Sequence, residues 1–337
     1  MLKVALIGRT KFLLNTGEYL IKNGIKVELI ITSKNSKHDT IGIKEFKKFA
    51  KKSGAKFYNT ENINSEKINL ILKKSNIHLG ISVNNLLLIK KEVIDLFKFG
   101  ILNAHAGDLP RYRGNACPNW AIINNEKNIG LSIHYMVEEV DAGDILLKKK
   151  FKINSKTTIE DFYKFGEKQI PIMFYDCIKK IQKNKITKIK QNEKNLLRTF
   201  PRNKIDGKIN WNKSINEIDR LIRASGFPFF GAYSYFDNSK LIILKAEINK
   251  PEFAYLAEPG QVVSRNKDGS VSIACKNGFI KLNEVIYKNK IFKKPSELIK
   301  SIHTKLGMDI ESEIEKINEK LDELLKIPKE SLMKNNY

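Results

Sequence analysis

The sequence predicts an α/β protein: a parallel sheet with helices on both faces, then a small β-barrel and a terminal helix. Three observations carry this. Residues 3–8 form a continuous apolar run of the kind found in a strand buried on both faces. Similar runs recur at 27–32 and 78–83, separated by helix-length stretches with apolar residues on one side. Beyond residue 200 the pattern changes to short alternating runs, punctuated at Asp237-Asn238, Pro259-Gly260, Asp268-Gly269 and Asn277-Gly278.

The first helix carries Phe12, Leu13, Leu20 and Ile21 on one side and stops at Asn23-Gly24. Helices are expected at 41–53, 68–74 and 90–97, with strands at 56–58 and 100–103 between and after them. Thr157 and Glu160 have capping-box spacing at the start of a long helix containing Pro171, a kink site. Residues 201–207 read as a linker, rich in polar residues with Pro and Gly. The expected domains are therefore 1–200, 201–307 and a helical tail at 308–337. In that tail Ile310, Ile314, Ile317, Leu321 and Leu324 recur at intervals of four and three. Such a stripe needs cover, from this chain's own barrel by preference or from a second copy in a homodimer.

The chain has 337 residues, enough for two domains, and its 42% hydrophobic content suffices for real cores. No run approaches the roughly 18 apolar residues of a membrane span. The apolar N-terminal run is too short for the core of a signal peptide. Cys117, Cys177 and Cys275 are odd in number and widely spaced, which suggests neither a disulfide framework nor a zinc site. A reducing cytoplasm fits. The net charge of +24 comes mainly from scattered Lys, accompanied by many Asn and Ile. It reads as a composition bias on a solvated surface, with an anionic substrate as the functional alternative. A dinucleotide site fails, because Gly8-Arg9-Thr10 lacks the glycine-rich turn and no acid ends the second strand.

The informative stretch runs from Asn103 to Gly114. Asn103 and His105 fall one residue apart at the C-terminal edge of a predicted strand, so both side chains point the same way. Open sheets bind ligands at such edges. Further on, the strand 130–136 leads to Asp141-Ala142-Gly143-Asp144. An Asp in that loop can orient His105 and hold it near a neutral pKa; Asp141 is preferred, with Asp144 as the alternative.

These residues resemble the 10-formyltetrahydrofolate-dependent formyltransferase family. The likeness rests on Asn103-x-His105, Leu109-Pro110-Arg111-Tyr112-Arg113-Gly114 and Asp141-Ala142-Gly143. It extends through the linker Phe200-Pro201-Arg202 to Asp206-Gly207-Lys208-Ile209-Asn210-Trp211, and on to Arg223-Ala224 and Gly231-Ala232-Tyr233. The resemblance implies a Rossmann-like catalytic domain, an OB-like C-terminal barrel and a folate co-substrate, 10-formyltetrahydrofolate. Departures are Gly107-Asp108, where the family often has Ser-Leu, and Asn210, where an Asp is common. The family's chemistry needs donors for a developing oxyanion, here Asn103 and His105, and a proton shuttle, here His105 held by Asp141. No metal is called for. Cys117 reads as a packed thiol. The loop Asn84-Asn85-Leu86-Leu87-Leu88 is expected to present backbone groups and apolar side chains to the folate, with core packing of the leucines as the competing reading.

Two branches of the family share this layout. One formylates initiator methionyl-tRNA and typically carries a longer basic insertion after the second strand. The other formylates nucleotide-linked amino sugars. Here 32–43 is short, though it holds Lys34 and Lys37, and Asn115 to Trp120 looks like the sugar branch, as does Phe227 to Tyr233. A nucleotide-linked amino sugar is the preferred acceptor, with Arg9, Arg111, Arg113 and Trp120 as its candidate contacts. The tRNA and a non-catalytic nucleotide- or RNA-binding module are the alternatives.

Overall fold

The structure, a computed structural model, describes residues 2–36, 39–307 and 310–325. Lys37 of the basic loop lies outside the described residues. So do the chain beyond 325 and, in the terminal helix, the side chains of Ile310 and Leu324.

The chain divides into two units, residues 1–206 with 223–230, and residues 207–222 with 231 onward. In the first, β1 (Lys3–Gly8), α1 (Thr10–Lys22), β2 (Lys26–Thr32), α2 (Ile43–Ser53), β3 (Lys56–Asn59), α3 (Glu66–Ser75) and β4 (Leu79–Val83) alternate as predicted. Then come α4 (Lys91–Ile94), β5 (Ile101–His105), β6 (Arg111–Gly114), α5 (Cys117–Ile123), β7 (Asn128–Tyr135), β8 (Ile145–Lys152), α6 (Ile159–Gln182) and β9 (Leu197–Thr199). The main sheet has the order β3-β2-β1-β4-β5-β7-β8. Its first five strands are parallel, as expected, and β7 and β8 join them antiparallel at one edge. Strand 130–136 is buried on both faces rather than alternating, because it lies inside the sheet.

Alternation along β1 sends Val4 and Leu6 to one core and Ala5 and Ile7 to the other. The first core is covered by α1, α2 and α6; the second includes Ile68 and Leu72 of α3 and Val93 of α4. Sheet faces packed this way dominate the folding free energy, since burying one such aliphatic side chain is worth about 1.5–3 kcal/mol. Helix α4 is shorter than expected and continues only as turns to Gly100. The cap of α6 is one residue later than expected: Thr158 Oγ1 accepts from the Asp161 N–H, and the Asp161 carboxylate accepts from the Thr158 N–H. The helix runs through Pro171 without a break.

The second unit holds most of α7 (Ile215–Ser225), then β10 (Ala232–Phe236), β11 (Ser239–Asn249), β12 (Val262–Arg265), β13 (Val271–Cys275), β14 (Gly278–Tyr287) and β15 (Lys290–Phe292). These strands form an antiparallel sheet in the order β10-β11-β14-β13-β12, with β15 on β14. The end of the domain is strapped down. Leu306 is buried, its N–H donates to the Gly260 carbonyl, and the Gly307 N–H donates to the Tyr235 carbonyl. Helix α8 (Ile310–Leu325) follows, and the described members of its stripe, Ile314, Ile317 and Leu321, are all more than half exposed. Packing of the stripe against its own unit is thus corrected for these residues.

Among the described residues no helix is long and apolar enough to cross a membrane, and no group of His, Cys, Asp and Glu could hold a metal ion.

Candidate active site

Strand β5 delivers the first two residues. Leu102 and Ala104 point into the main core, which turns Asn103 and His105 to the opposite face. The antiparallel partner β7 then places His134 opposite Asn103 and Ser132 opposite His105. The loop after β7 brings Asp141 back over this face in a left-handed conformation, φ 51°, that few residues other than Gly, Asn and Asp adopt readily. Gly143 is required in the same loop, because a Cβ there would lie 1.9 Å from the Tyr135 carbonyl oxygen.

His105 is held from both sides. Its Nδ1 lies 3.3 Å from Asp141 Oδ2, and its Nε2 lies 2.6 Å from the Tyr112 carbonyl oxygen. Both neighbours only accept, so both ring nitrogens carry hydrogen and the ring is an imidazolium. Burial opposes that charge, but the Asp141 carboxylate outweighs it, helped by the Cys117 sulfur and the Tyr112 carbonyl, and the pKa is raised to about 10. Burial likewise works against the charge of Asp141. The His105 cation, the His134 ring and the Gly114 backbone N–H overcome it and lower the carboxyl to about 2. The near-neutral histidine expected from sequence is corrected: the pair is charged through neutrality. Asp144, the alternative orienting acid, makes no such contact; its backbone carbonyl accepts from the Tyr135 N–H.

Asn103 Nδ2 lies 3.2 Å from His134 Nε2 and 3.4 Å from Asp141 Oδ1. His134 Nδ1 sits 2.8 Å from the Tyr135 carbonyl and so carries a proton, while its Nε2 faces both the Asn103 amide and, at 3.5 Å, the Asp141 carboxylate. His134 is a residue of this cluster that the sequence analysis did not single out. Its signal was present, as a histidine on a strand that pairs with the Asn-x-His strand. Cys117 is buried as expected, its Sγ 3.2 Å from Thr199 Oγ1, but it also lies 3.5 Å from His105 Nε2.

The departure Gly107-Asp108 has a local reason. A Cβ at 107 would lie 2.5 Å from His105 Nε2 and 2.2 Å from the Tyr112 carbonyl oxygen, so the imidazole occupies the space a serine would need. Asp108 pairs with Lys148, which also donates to the Leu109 carbonyl and pins this loop to β8.

The leucines beside the site are not core. Leu86, Leu87 and Leu88 are about half exposed, and Val137 of the loop after β7 is also exposed. The carbonyls of Leu87 and Leu88 are already taken by the Asn85 and Asn64 side chains, and that of Asn84 by Arg9. The candidate anion contacts each have partners within the chain. Arg9 pairs with Asp39 and donates to the Asn84 carbonyl. Arg113 is 1% exposed and donates to Gln191 and Glu193, so its charge is consumed internally. Arg111 is exposed and shares Glu126 with the Tyr112 hydroxyl. The Trp120 indole donates to the Phe200 carbonyl, with the Arg202 guanidinium over its ring.

Comparison with known proteins gives this arrangement its family. Residues 2–178 match the formyl transferase domain, and residues 202–303 match the formyl transferase C-terminal domain. The chain belongs to the formyl transferase family. A methionyl-tRNA formyltransferase of Clostridium tetani is 29% identical to this formyltransferase over 295 residues, spanning 86% of this chain and 93% of the relative. Among solved structures, WlaRD, a sugar 3N-formyl transferase in the presence of dTDP and 5-N-formyl-THF, is 25% identical with a TM-score of 0.63, covering 86% of this chain and 99% of its own. The N-formyltransferase of Helicobacter canadensis, in complex with folinic acid and dTDP-3-aminofucose, matches in fold at 23% identity and a TM-score of 0.63, covering 84% of this chain and 99% of its own.

Proposed function

We propose that this formyltransferase moves the formyl group of 10-formyltetrahydrofolate onto the primary amine of a nucleotide-linked amino sugar. The observation that carries the choice of acceptor is the connection between β2 and α2. It is confined to residues 33–42, and Asp39 within it is tied to Arg9 and to the Ser36 N–H. This leaves little of the basic insertion with which the tRNA branch of the family reaches its substrate. The dTDP-3-aminofucose and folinic acid named for one solved structure, and the dTDP and 5-N-formyl-THF named for the other, support the same reading.

The exposed apolar side chains of Leu86, Leu87, Leu88 and Val137 fit a flat folate ring, since half-exposed leucines in a row lose water when a ring covers them. The folate supplies the formyl carbon, and its departing nitrogen takes up a proton. The protein's own groups do the rest. His105 brings the positive charge of its imidazolium to where negative charge develops on the formyl oxygen, and its Nε2–H, which donates to the Tyr112 carbonyl in the free protein, is the donor to be shared with that oxygen; such charge is worth most away from water. Asp141 keeps that ring protonated and oriented. Asn103, whose amino group is engaged by His134 and Asp141 and so is not free to donate to the oxyanion as the sequence suggested, has its carbonyl oxygen left to accept from an incoming amine. His105 then acts as the acid toward the departing nitrogen, and the proton shed by the amine returns to it through water.

A second reading, methionyl-tRNA as acceptor, draws support from the net charge of +24 and from the curated relative of Clostridium tetani. The deciding assay supplies 10-formyltetrahydrofolate with a panel of nucleotide-linked amino sugars, including dTDP-3-aminofucose, and with charged initiator tRNA in competition. Formylation within the sugar panel is expected. Efficient formylation of the tRNA with every sugar ignored would reverse the assignment.

A further inference from the structure

A fully buried arginine needs a reason, because a guanidinium in the interior is costly unless its donors are matched. Arg113 has one. Its Nη2 donates to Gln191 Oε1 at 2.7 Å and to Glu193 Oε1 at 2.7 Å, and its Nη1 lies 3.6 Å from Glu139. Gln191 is itself 7% exposed, and its Nε2 donates twice, to the Asp141 carbonyl at 2.7 Å and to the Gly143 carbonyl at 2.8 Å. The segment from Glu139 to Gly143 is therefore gripped at three points by one arginine and one glutamine. Both backbone carbonyls on either side of Ala142 end on the same carboxamide, and the residue so fixed is the one in the left-handed conformation, Asp141.

We infer that Gln191, oriented by Arg113, is a positioning residue for formyl transfer: it holds the Asp141 loop so that the carboxylate meets His105 Nδ1. The inference rests on the catalytic reading of Asn103, His105 and Asp141. Gln191 touches neither the reacting atoms nor the imidazole. It acts by denying the loop the freedom to relax out of the left-handed conformation. Arg113 makes that grip directional, because its donation to Oε1 leaves only the amino end of the carboxamide facing the loop. The groups around His105 that feel a shift of the loop are the Asp141 carboxylate, the Cys117 thiol from α5, the Tyr112 carbonyl from β6 and the His134 ring from β7, 6.3 Å away.

The test replaces Gln191 with Met, which fills similar space, adds no charge and cannot donate. His105 is titrated by NMR of histidine-labelled protein, and steady-state rates are measured with 10-formyltetrahydrofolate and dTDP-3-aminofucose. The expected result is a His105 pKa at least one unit lower in Gln191→Met. It is accompanied by a kcat lower by roughly 10²-fold, the scale of a misplacement of about 1 Å, with KM moved less than threefold. Should Gln191→Met not fold, Gln191→Asn keeps a carboxamide for Arg113 but is a methylene too short to span to both carbonyls, and the same two shifts are expected. A folded variant with unaltered His105 titration and unaltered kcat overturns the inference, whatever happens to its melting temperature. If the sugar proves not to be an acceptor, the titration alone decides. His105→Ala measured alongside separates the two claims. Full activity there sinks the catalytic reading, whereas lost activity there with an unchanged Gln191→Met sinks only the role of Gln191.

Discussion

His105 and Asp141 set the behaviour of the site at the scale of single residues. Removing the imidazole in His105→Ala, or the charge in Asp141→Asn, is expected to lower kcat by on the order of 10²–10⁴ while the far-ultraviolet spectrum stays native. Near-full turnover by either folded variant contradicts the mechanism. The same pair links stability to pH. A pKa raised to about 10 means that His105 contributes fully below its unfolded value near 6.5, and that this contribution is lost as pH rises through about 10. Asp141, lowered to about 2, contributes fully above its unfolded value near 3.9, and its share is lost as pH falls through about 2. The pair's contribution is therefore greatest between about pH 4 and 6.5. Melting temperatures should be highest between about pH 4 and 6.5 and decline from there toward pH 10, and that alkaline decline should be lost in His105→Ala. A wild-type melting temperature that stays flat from about pH 6.5 to 10 would instead indicate a histidine whose pKa folding does not change.

At the scale of elements, the last strap of the second unit is the informative one. Leu306 buries its side chain, and residues 306 and 307 each donate to a distant carbonyl, while the described stripe of α8 stays in water. A chain ending after Gly307 is expected to melt within a degree or two of the full protein. One ending after Lys305 forfeits a buried leucine, about 1.5–3 kcal/mol, and melts clearly lower. Equal melting of the two truncations would refute this. The sequence made the apolar strands, the turns and the Asn-x-His edge readable, because each is written in local spacing. It hid the antiparallel addition of β7 and β8, since a strand buried on both faces looks alike in either direction. Gln191 was illegible for a related reason. Nothing in a polar stretch after a helix says that its carboxamide reaches two carbonyls 48 and 50 residues away. Arg113 misled because arginines that bind phosphate and arginines that staple loops share the same fork of donors.

Over the whole molecule, charge acts in two separate places. The His105–Asp141 pair is largely buried, where dissolved ions screen little, whereas most of the lysines behind the net charge of +24 face water. Raising salt from about 0.05 M to 0.5 M, over which the Debye length falls well below 10 Å, should lower kcat/KM for an anionic acceptor and leave kcat nearly constant. A nucleotide sugar with few phosphates predicts a shallow dependence on salt. The steep logarithmic slope produced by displacing many counterions would speak for tRNA. A salt titration of both kinetic constants distinguishes these outcomes.

Finally, the pairing of Asn103 with His134 has a bearing on how activity is acquired after synthesis or refolding. The two residues join through a contact that spans 31 positions, and a slip of one residue would send one partner's side chains to the opposite face. A one-residue slip puts the polar groups on different faces, and a two-residue slip separates Asn103 from His134 along the strand, so only the correct register assembles the cluster. Recovery of formyl transfer during refolding should consequently follow a single phase set by this long-range closure, lagging behind the recovery of helical signal.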